Sequence, residues 1–137
     1  MRIVQDTNVF ISALMSSDGA SGACVERCLD GRDKPVFGPA LLAEYMEKVE
    51  DDSLWDGIDI EERRTLLDAL MTFSEWQNVW FTWRPNLPDP ADDHVYELAL
   101  AAHVERLVTW NLKDFARGER MFSSPRILTP AQHLKSL

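Results

Sequence analysis

Short apolar segments alternate with longer amphipathic stretches along the chain, and this alternation predicts strands separated by helices. The apolar segments predict five strands, at about residues 2–5, 35–37, 79–83, 107–109 and 126–128. Apolar residues at helical spacing predict helices over about residues 9–15, 20–29, 40–49, 60–76 and 92–104, with a short last helix after Thr129. Because alternating strands and helices form parallel sheets that are covered on both faces, the pattern predicts an α/β fold.

Acidic residues recur where the predicted strands end or the helices begin. They are Asp6, Glu44, the pair Asp92 and Asp93, and Asp114. In open α/β sheets, ligands bind in the crevice beyond the carboxyl ends of the strands. Mg²⁺ and Mn²⁺ prefer oxygen ligands, and carboxylates that gather without a cation repel one another. The four positions together predict a divalent-cation site.

Each acidic position also has an ordinary structural explanation. Asp6 can cap the helix that follows it, and Asp92 and Asp93 lie at a predicted helix N-terminus, where any carboxylate is favoured. Glu44 can be part of a solvent-exposed helix face, and Asp114 can close a turn. For any single position the structural explanation is the stronger one. The recurrence of acids at one end of one sheet is what favours the cation site.

Length and charge narrow the classes of protein that fit this pattern. The chain of 137 residues is expected to form one domain, and it contains no apolar run long enough to span a membrane. No signal-peptide layout precedes the first strand, so we expect a cytoplasmic protein. The net charge of −9 argues against general nucleic-acid binding, although basic residues outnumber acidic ones after residue 110.

Four segments resemble, in order, the motifs of the PIN-domain ribonucleases. Residues 3–12 (IVQDTNVFIS) resemble the first motif, and residues 41–45 (LLAEY) resemble the second, which carries an acid on a helix. Residues 89–99 (DPADDHVYELA) resemble the third. Residues 108–115 (VTWNLKDF) resemble the fourth motif, which is common in the VapC-like toxins of bacterial toxin–antitoxin pairs. The first and fourth motifs are the specific ones.

The resemblance implies a three-layer α/β/α fold, with a parallel sheet of about five strands in a single PIN-like domain over residues 1–137. It implies an endoribonuclease that depends on Mg²⁺ or Mn²⁺, acts on RNA, and is the toxin held inactive by a small antitoxin. We also expect a homodimer. Carried over by position, the catalytic acids are Asp6, Glu44, Asp93 and Asp114, of which the first three are expected to bind the metal. Asp93 fits the spacing to the apolar helix face better than Asp92. Many relatives have an acid where this chain has Asn111, so the fourth carboxylate is either Asp114 or missing.

Polar residues close to the acids are candidates for orienting the metal ligands. They are Thr7, Asn8, Ser12, Thr109 and Asn111, and helix capping and turn formation are the alternative roles for them.

Other residues near the motifs are candidates for contacts with RNA. Lys113, Arg117 and Arg120 follow the fourth motif and are expected to bind RNA phosphates. Trp110 either packs in the protein or stacks on a base. His94 is expected to be a solvated residue in the first turn of its helix, because oxygen ligands suit Mg²⁺ better than imidazole does.

Two alternatives to a ribonuclease remain open. The first is a catalytically silent PIN-like module that binds RNA or a protein without cleaving. The second is a phosphatase of the haloacid dehalogenase type, which also has an aspartate after its first strand. That class usually has a second aspartate two residues later, where this chain has Asn8.

Overall fold

The computed structural model describes residues 1–79, 90–113, 115 and 124–137, with only the backbone of residues 90–93. Five strands in these residues form one parallel sheet, which confirms the predicted α/β fold class. The strands are β1 (Arg2–Gln5), β2 (Lys34–Phe37), β3 (Glu75–Trp76), β4 (Arg106–Val108) and β5 (Arg126–Leu128). The helices are α1 (Thr7–Met15), α2 (Ala20–Leu29), α3 (Pro39–Glu50), α4 (Ile60–Thr72), α5 (Pro90–Ala101) and α6 (Pro130–Lys135), with a 3₁₀ turn at Asp52–Leu54.

The order of the strands places the first strand at the centre of the sheet. The order is β3-β2-β1-β4-β5, so the chain moves outward in one direction from β1 to β3 and then crosses to the other side for β4 and β5. Such a reversal is a topological switch point, and ligands of open α/β sheets bind beside it at the carboxyl ends of the strands. We call the end of the sheet at which the strands have their carboxyl ends the carboxyl edge, and the opposite end the amino edge.

The helices cover both faces of the sheet because parallel connections are right-handed. Helices α1 and α2 contact each other, as do α3 and α4, whereas α5 packs against β1 and β4. The central strands β1 and β4 are buried at nearly every position, as expected for strands between two helical layers. Their side chains join those of α1, α3 and α5 in one hydrophobic core.

The third strand lies earlier in the chain than the apolar pattern predicts. The helix predicted over residues 60–76 ends at Thr72, and the Ser74 hydroxyl donates a hydrogen bond to the carbonyl oxygen of Met71. Glu75 and Trp76 then pair with the last residues of β2. The predicted strand over residues 79–83 is therefore wrong at Val79, which is in no strand, and residues 80–83 lie outside the described part.

Some predicted features fall on residues that the structure does not describe. They are three of the predicted site residues, Asp114, Arg117 and Arg120. In the part of the chain that is described, none of the helices has both the length and the apolar composition needed to cross a membrane.

Candidate active site at the switch point

Asp6 lies at the carboxyl end of the central strand, and its side chain is 4% exposed. It is the residue that precedes α1, and its Oδ1 accepts a hydrogen bond of 2.8 Å from the Thr7 backbone N–H. The capping role considered from the sequence is therefore present. That role uses only one carboxylate oxygen, and Oδ2 points to the neighbouring strand β4.

Two neutral side chains hold the second oxygen of Asp6 across the switch point. The Thr109 hydroxyl, which follows β4, donates to Oδ2 at 2.9 Å, and Asn8 Nδ2 donates to the same oxygen at 3.3 Å. Asn8 Nδ2 also contacts Thr109 Oγ1 at 3.3 Å. Thr109 is fully buried, so this contact fixes the carboxylate relative to the centre of the sheet.

Glu44 reaches the same edge from helix α3. The next residue, Tyr45, is fully buried, and its hydroxyl donates a 2.8 Å hydrogen bond to the carbonyl oxygen of Gln5. The Tyr45 ring also packs against Phe10 and Phe37. These contacts fix α3 beside the end of β1, so Glu44 lies close enough to Asp6 for the two negative charges to interact.

Glu44 is paired with His94 from helix α5. His94 Nε2 lies 2.7 Å from Glu44 Oε2, and both side chains are about one-fifth exposed. The prediction of a solvated His94 is therefore wrong, because the folded chain brings α5 against α3 and turns the imidazole toward the carboxylate. Neither residue's neighbours in sequence carried a signal for this contact.

The two carboxylates have pKa shifts in opposite directions. Burial raises the pKa of Asp6 above 3.8 and the charge of Glu44 adds to this, while Thr109, the Thr7 N–H and His94 oppose it. Burial also acts to raise the pKa of Glu44, but His94 and the Thr7 hydroxyl outweigh it and leave the value below 4.5. The Thr7 hydroxyl has no hydrogen-bond partner among the described residues, so its effect on the pKa of Glu44 is one of proximity.

Of the remaining predicted ligands, only the backbone of Asp92 and Asp93 is described. Asp93 is in the first turn of α5, immediately before His94, and its side chain is outside the described part, as is that of Asp92. Asp114 is also outside it. Among the described residues no group of three or more potential metal-binding side chains is gathered, so the whole metal set, Asp6 and Glu44 included, stays a prediction.

The other predicted residues differ in how closely they approach Asp6. Asn111 acts through its backbone, whose N–H donates to Thr109 Oγ1 at 3.1 Å, while its side chain is exposed. Ser12 is half-buried on α1, and within the described part no side-chain hydrogen bond joins it to the site. Lys113 is exposed, as a residue that contacts phosphates must be.

Helix α5 carries a third acid, Glu97, which was not predicted from the sequence. Glu97 follows Asp93 by one helical turn and is 7% exposed, although its neighbours along the helix are apolar. Together with His94 it lines a cavity of about 210 Å³ beside α3. An acid inside an otherwise apolar helix face was the signal that could have identified it.

The residues present fit a divalent cation better than an internal charge pair. Among the described residues the hydrogen-bond partners of the buried Asp6 carboxylate are all neutral, and the charge that acts most strongly on it is the like charge of Glu44. Buried carboxylates are normally paired or bound to metal. The buried Thr7 Oγ1 and His94 Nδ1 also have no hydrogen-bond partner among the described residues, so both atoms could interact with a further ligand.

The comparisons with known proteins agree with this description of a parallel α/β fold. The family model of the PIN domain matches residues 2–113. The chain therefore belongs to the PIN-domain family of nucleases. No curated protein matches the sequence.

A solved structure shares the fold. It is the crystal structure of VapBC2 from Rickettsia felis bound to a DNA fragment from their promoter. The match has a TM-score of 0.64 at 18% sequence identity and covers 93% of this chain and 97% of that one.

Proposed function

We propose that this protein is a metal-dependent endoribonuclease. The observation that carries the proposal is the environment of Asp6, a buried carboxylate at the switch point with neutral hydrogen-bond donors and a second carboxylate beside it. Asp6, Glu44 and Asp93 would hold Mg²⁺ or Mn²⁺. The cation supplies an activated water at neutral pH and neutralises charge on the scissile phosphate. Asp114 is the proposed fourth acid.

The residues of the chain prepare this chemistry by fixing the carboxylates. Thr109 and Asn8 hold Oδ2 of Asp6, and the Thr7 N–H is the one described donor to Oδ1, so Oδ1 keeps a lone pair for a ligand. Asp6 is therefore oriented before any cation binds, and the same applies to Glu44 through its contact with His94. Such fixed partners maintain metal affinity and activity.

We further propose that the protein is the toxin of a cytoplasmic toxin–antitoxin pair and forms a homodimer. The support is the fold similarity to a chain of the VapBC2 complex, together with the family membership. A small antitoxin is the proposed protein partner. Lys113, Arg117 and Arg120 are the proposed phosphate contacts on the RNA.

The test is cleavage of labelled RNA with Mg²⁺, with Mn²⁺ and with EDTA, using the wild type and Asp6→Asn. We expect cleavage by the wild type with either cation, and none in EDTA or by the variant. Single-stranded DNA of the same sequence tests the preference for RNA. RNA binding by the wild type without cleavage under every metal condition would instead identify a silent PIN-like module.

Growth measurements test the toxin role separately. Expression of the wild type should slow bacterial growth, and co-expression of the small protein encoded beside it should restore growth. Normal growth with soluble, RNA-cleaving enzyme in several hosts would contradict the toxin role and leave the nuclease proposal intact.

A further inference from the structure

Trp110 is a large aromatic residue that stays exposed next to the candidate site. It follows Thr109, whose hydroxyl holds Asp6, and it is 41% exposed. The described structure places exposed apolar side chains elsewhere too, including Phe73, which is 44% exposed and precedes β3 at the amino edge. Trp110 differs from Phe73 in how its position is fixed.

Two tertiary hydrogen bonds fix Trp110. Its indole Nε1–H donates to Ser21 Oγ on α2 at 2.8 Å, and Ser21 is 1% exposed. Its backbone N–H donates to Asn8 Oδ1 at 3.2 Å. Because the ring N–H is already bound, the exposed part of the side chain offers only an aromatic surface.

Asn8 connects this aromatic surface to the candidate catalytic carboxylate. A backbone N–H is always a donor, so Asn8 must turn its carbonyl oxygen toward Trp110. Its amide nitrogen then faces Asp6 Oδ2, at 3.3 Å, and Thr109 Oγ1. One amide side chain therefore sets the position of both Trp110 and the carboxylate.

We propose that Trp110 is a stacking platform for a nucleobase of single-stranded RNA, adjacent to the phosphate that is cleaved. This inference rests on the proposed function. Bases stack on aromatic side chains with little preference for base identity, because every base has a π face. A fixed ring without a free hydrogen-bonding group suits such stacking, and its place beside Asp6 suits a nucleotide that flanks the scissile bond.

The test is the affinity for a short, labelled single-stranded RNA in EDTA, measured by fluorescence anisotropy. Trp110→Ala should weaken binding between about 5-fold and about 150-fold, the range for loss of one stacked base. Trp110→Phe keeps an aromatic face and should recover most of the affinity. Ser21→Ala leaves the ring present but unfixed and should give an intermediate loss. Phe73→Ala is the matched control at the amino edge and should bind as the wild type does.

A series of RNAs with one abasic nucleotide tests whether the partner of Trp110 is a base. At one position, the abasic change should weaken binding to the wild type as much as Trp110→Ala does, with no further loss when both changes are combined. The proposal would be overturned if the losses of affinity from Trp110→Ala and from the abasic change added up at every position. Equal RNA affinities of the wild type and Trp110→Ala, or no RNA binding by the wild type, would also overturn it. If Trp110→Ala instead abolishes self-association in sedimentation, the platform contacts a second copy and the proposal is wrong.

The same samples separate this proposal from the proposed function. Cleavage by the wild type with unchanged RNA affinity of Trp110→Ala would overturn the platform alone. If Trp110→Ala and one abasic RNA show the same loss of affinity but the wild type cleaves RNA under no metal condition, the proposed nuclease activity is overturned and base stacking on Trp110 is kept.

Discussion

Two buried aspartates at opposite edges of the sheet show how the environment decides the behaviour of a carboxylate. Asp6 at the carboxyl edge is 4% exposed, and Asp33, immediately before β2 at the amino edge, is 1% exposed. Burial raises the pKa of Asp6. It acts in the same direction on Asp33, but hydrogen bonds from Arg27 and His133 overcome it and lower that pKa to about 2.

The partners of Asp33 form a closed network. Its Oδ2 accepts from Arg27 Nε and from His133 Nε2, each at 2.9 Å. His133 Nδ1 lies 3.0 Å from Arg106 Nη1, and because a guanidinium only donates, this ring nitrogen must accept. Nε2 therefore carries the hydrogen and donates the hydrogen bond to Asp33. Arg106 also donates to Ser136 Oγ at 2.8 Å.

The different partners of Asp6 and Asp33 indicate that the two edges of the sheet have different roles. At the amino edge the chain supplies its own cationic and hydrogen-bond partners, so Asp33 stabilises the fold. At the carboxyl edge Asp6 has neutral donors and a carboxylate neighbour, so the negative charge there remains available to a bound cation.

Loss of the Asp6 charge should have the largest effect, and this effect should be on catalysis and metal binding. A bound cation contributes several kcal/mol to the transition state, so Asp6→Asn should reduce the rate of RNA cleavage by about a thousandfold or more. The measurement is single-turnover cleavage with Mn²⁺, and a thermal melt checks that the variant is folded. Cleavage by the variant within threefold of the wild type would place the active site elsewhere.

Loss of the Asp33 charge should instead act on stability. Asp33→Asn breaks a buried pair and should lower the free energy of unfolding at pH 7 by about 3 kcal/mol or more. Denaturant titrations give this value.

The pH dependence gives an internal control for the Asp33 prediction. Because the folded-state pKa is about 2 and the ordinary value is 3.8, the contribution is present above pH 3.8 and is lost as the pH falls from 3.8 to about 2. The gap between wild type and Asp33→Asn should narrow over the same interval. A gap that stays constant down to pH 2 would show that the charge of Asp33 is not the cause.

Removal of the Thr109 hydroxyl should have a smaller catalytic effect. Thr109→Val keeps the shape of the side chain but removes the 2.9 Å hydrogen bond to Asp6, and activity or metal affinity should fall by about 10- to 100-fold. Thr72→Val is the matched control, because its hydroxyl bonds only the Asp68 carbonyl oxygen on an exposed helix surface. Equal activities of both variants would remove Thr109 from the site.

The choice between Asp93 and Asp92 predicts the smallest change. Without metal, Asp93→Asn should leave the free energy of unfolding unchanged or higher, because it relieves repulsion from neighbouring acids. Asp92→Asn should cost about 1 kcal/mol or less if that residue only caps the helix. Thermal melts of both variants with and without Mn²⁺ decide between the two residues. Stabilisation by Mn²⁺ that Asp92→Asn loses and Asp93→Asn keeps would identify Asp92 as the ligand.

The sequence predicts the elements that have an internal pattern and misses those defined by tertiary contact. Strands β1 and β5 and the helix α2 match their predicted ranges because apolar runs and turn residues mark them. Strand β3 has only two residues, both exposed, and exists through its pairing with β2, so no apolar pattern could mark it.

The candidate site divides in the same way. Asp6 could be found because it ends an apolar strand, and Glu44 because its segment resembles a family motif. The contact of His94 with Glu44 joins two helices that are far apart in sequence, and no local pattern encodes it. The proposed cation site rests on the neutral hydrogen-bond partners of Asp6. One of them, Thr109, reaches Asp6 because β4 lies beside β1.

The most direct test of a cation site at the carboxyl edge is the stabilisation of the fold by Mn²⁺, measured for the wild type, Asp6→Asn and Asp33→Asn under the same conditions. A cation at a hundred times its Kd stabilises a folded protein by about 2.7 kcal/mol. The wild type and Asp33→Asn should show this gain, even though the second begins from a lower stability, and Asp6→Asn should show little or none. The gain should also grow with pH as Asp6 ionises. An equal gain in Asp6→Asn and wild type, or none in the wild type, would contradict a cation site at the carboxyl edge.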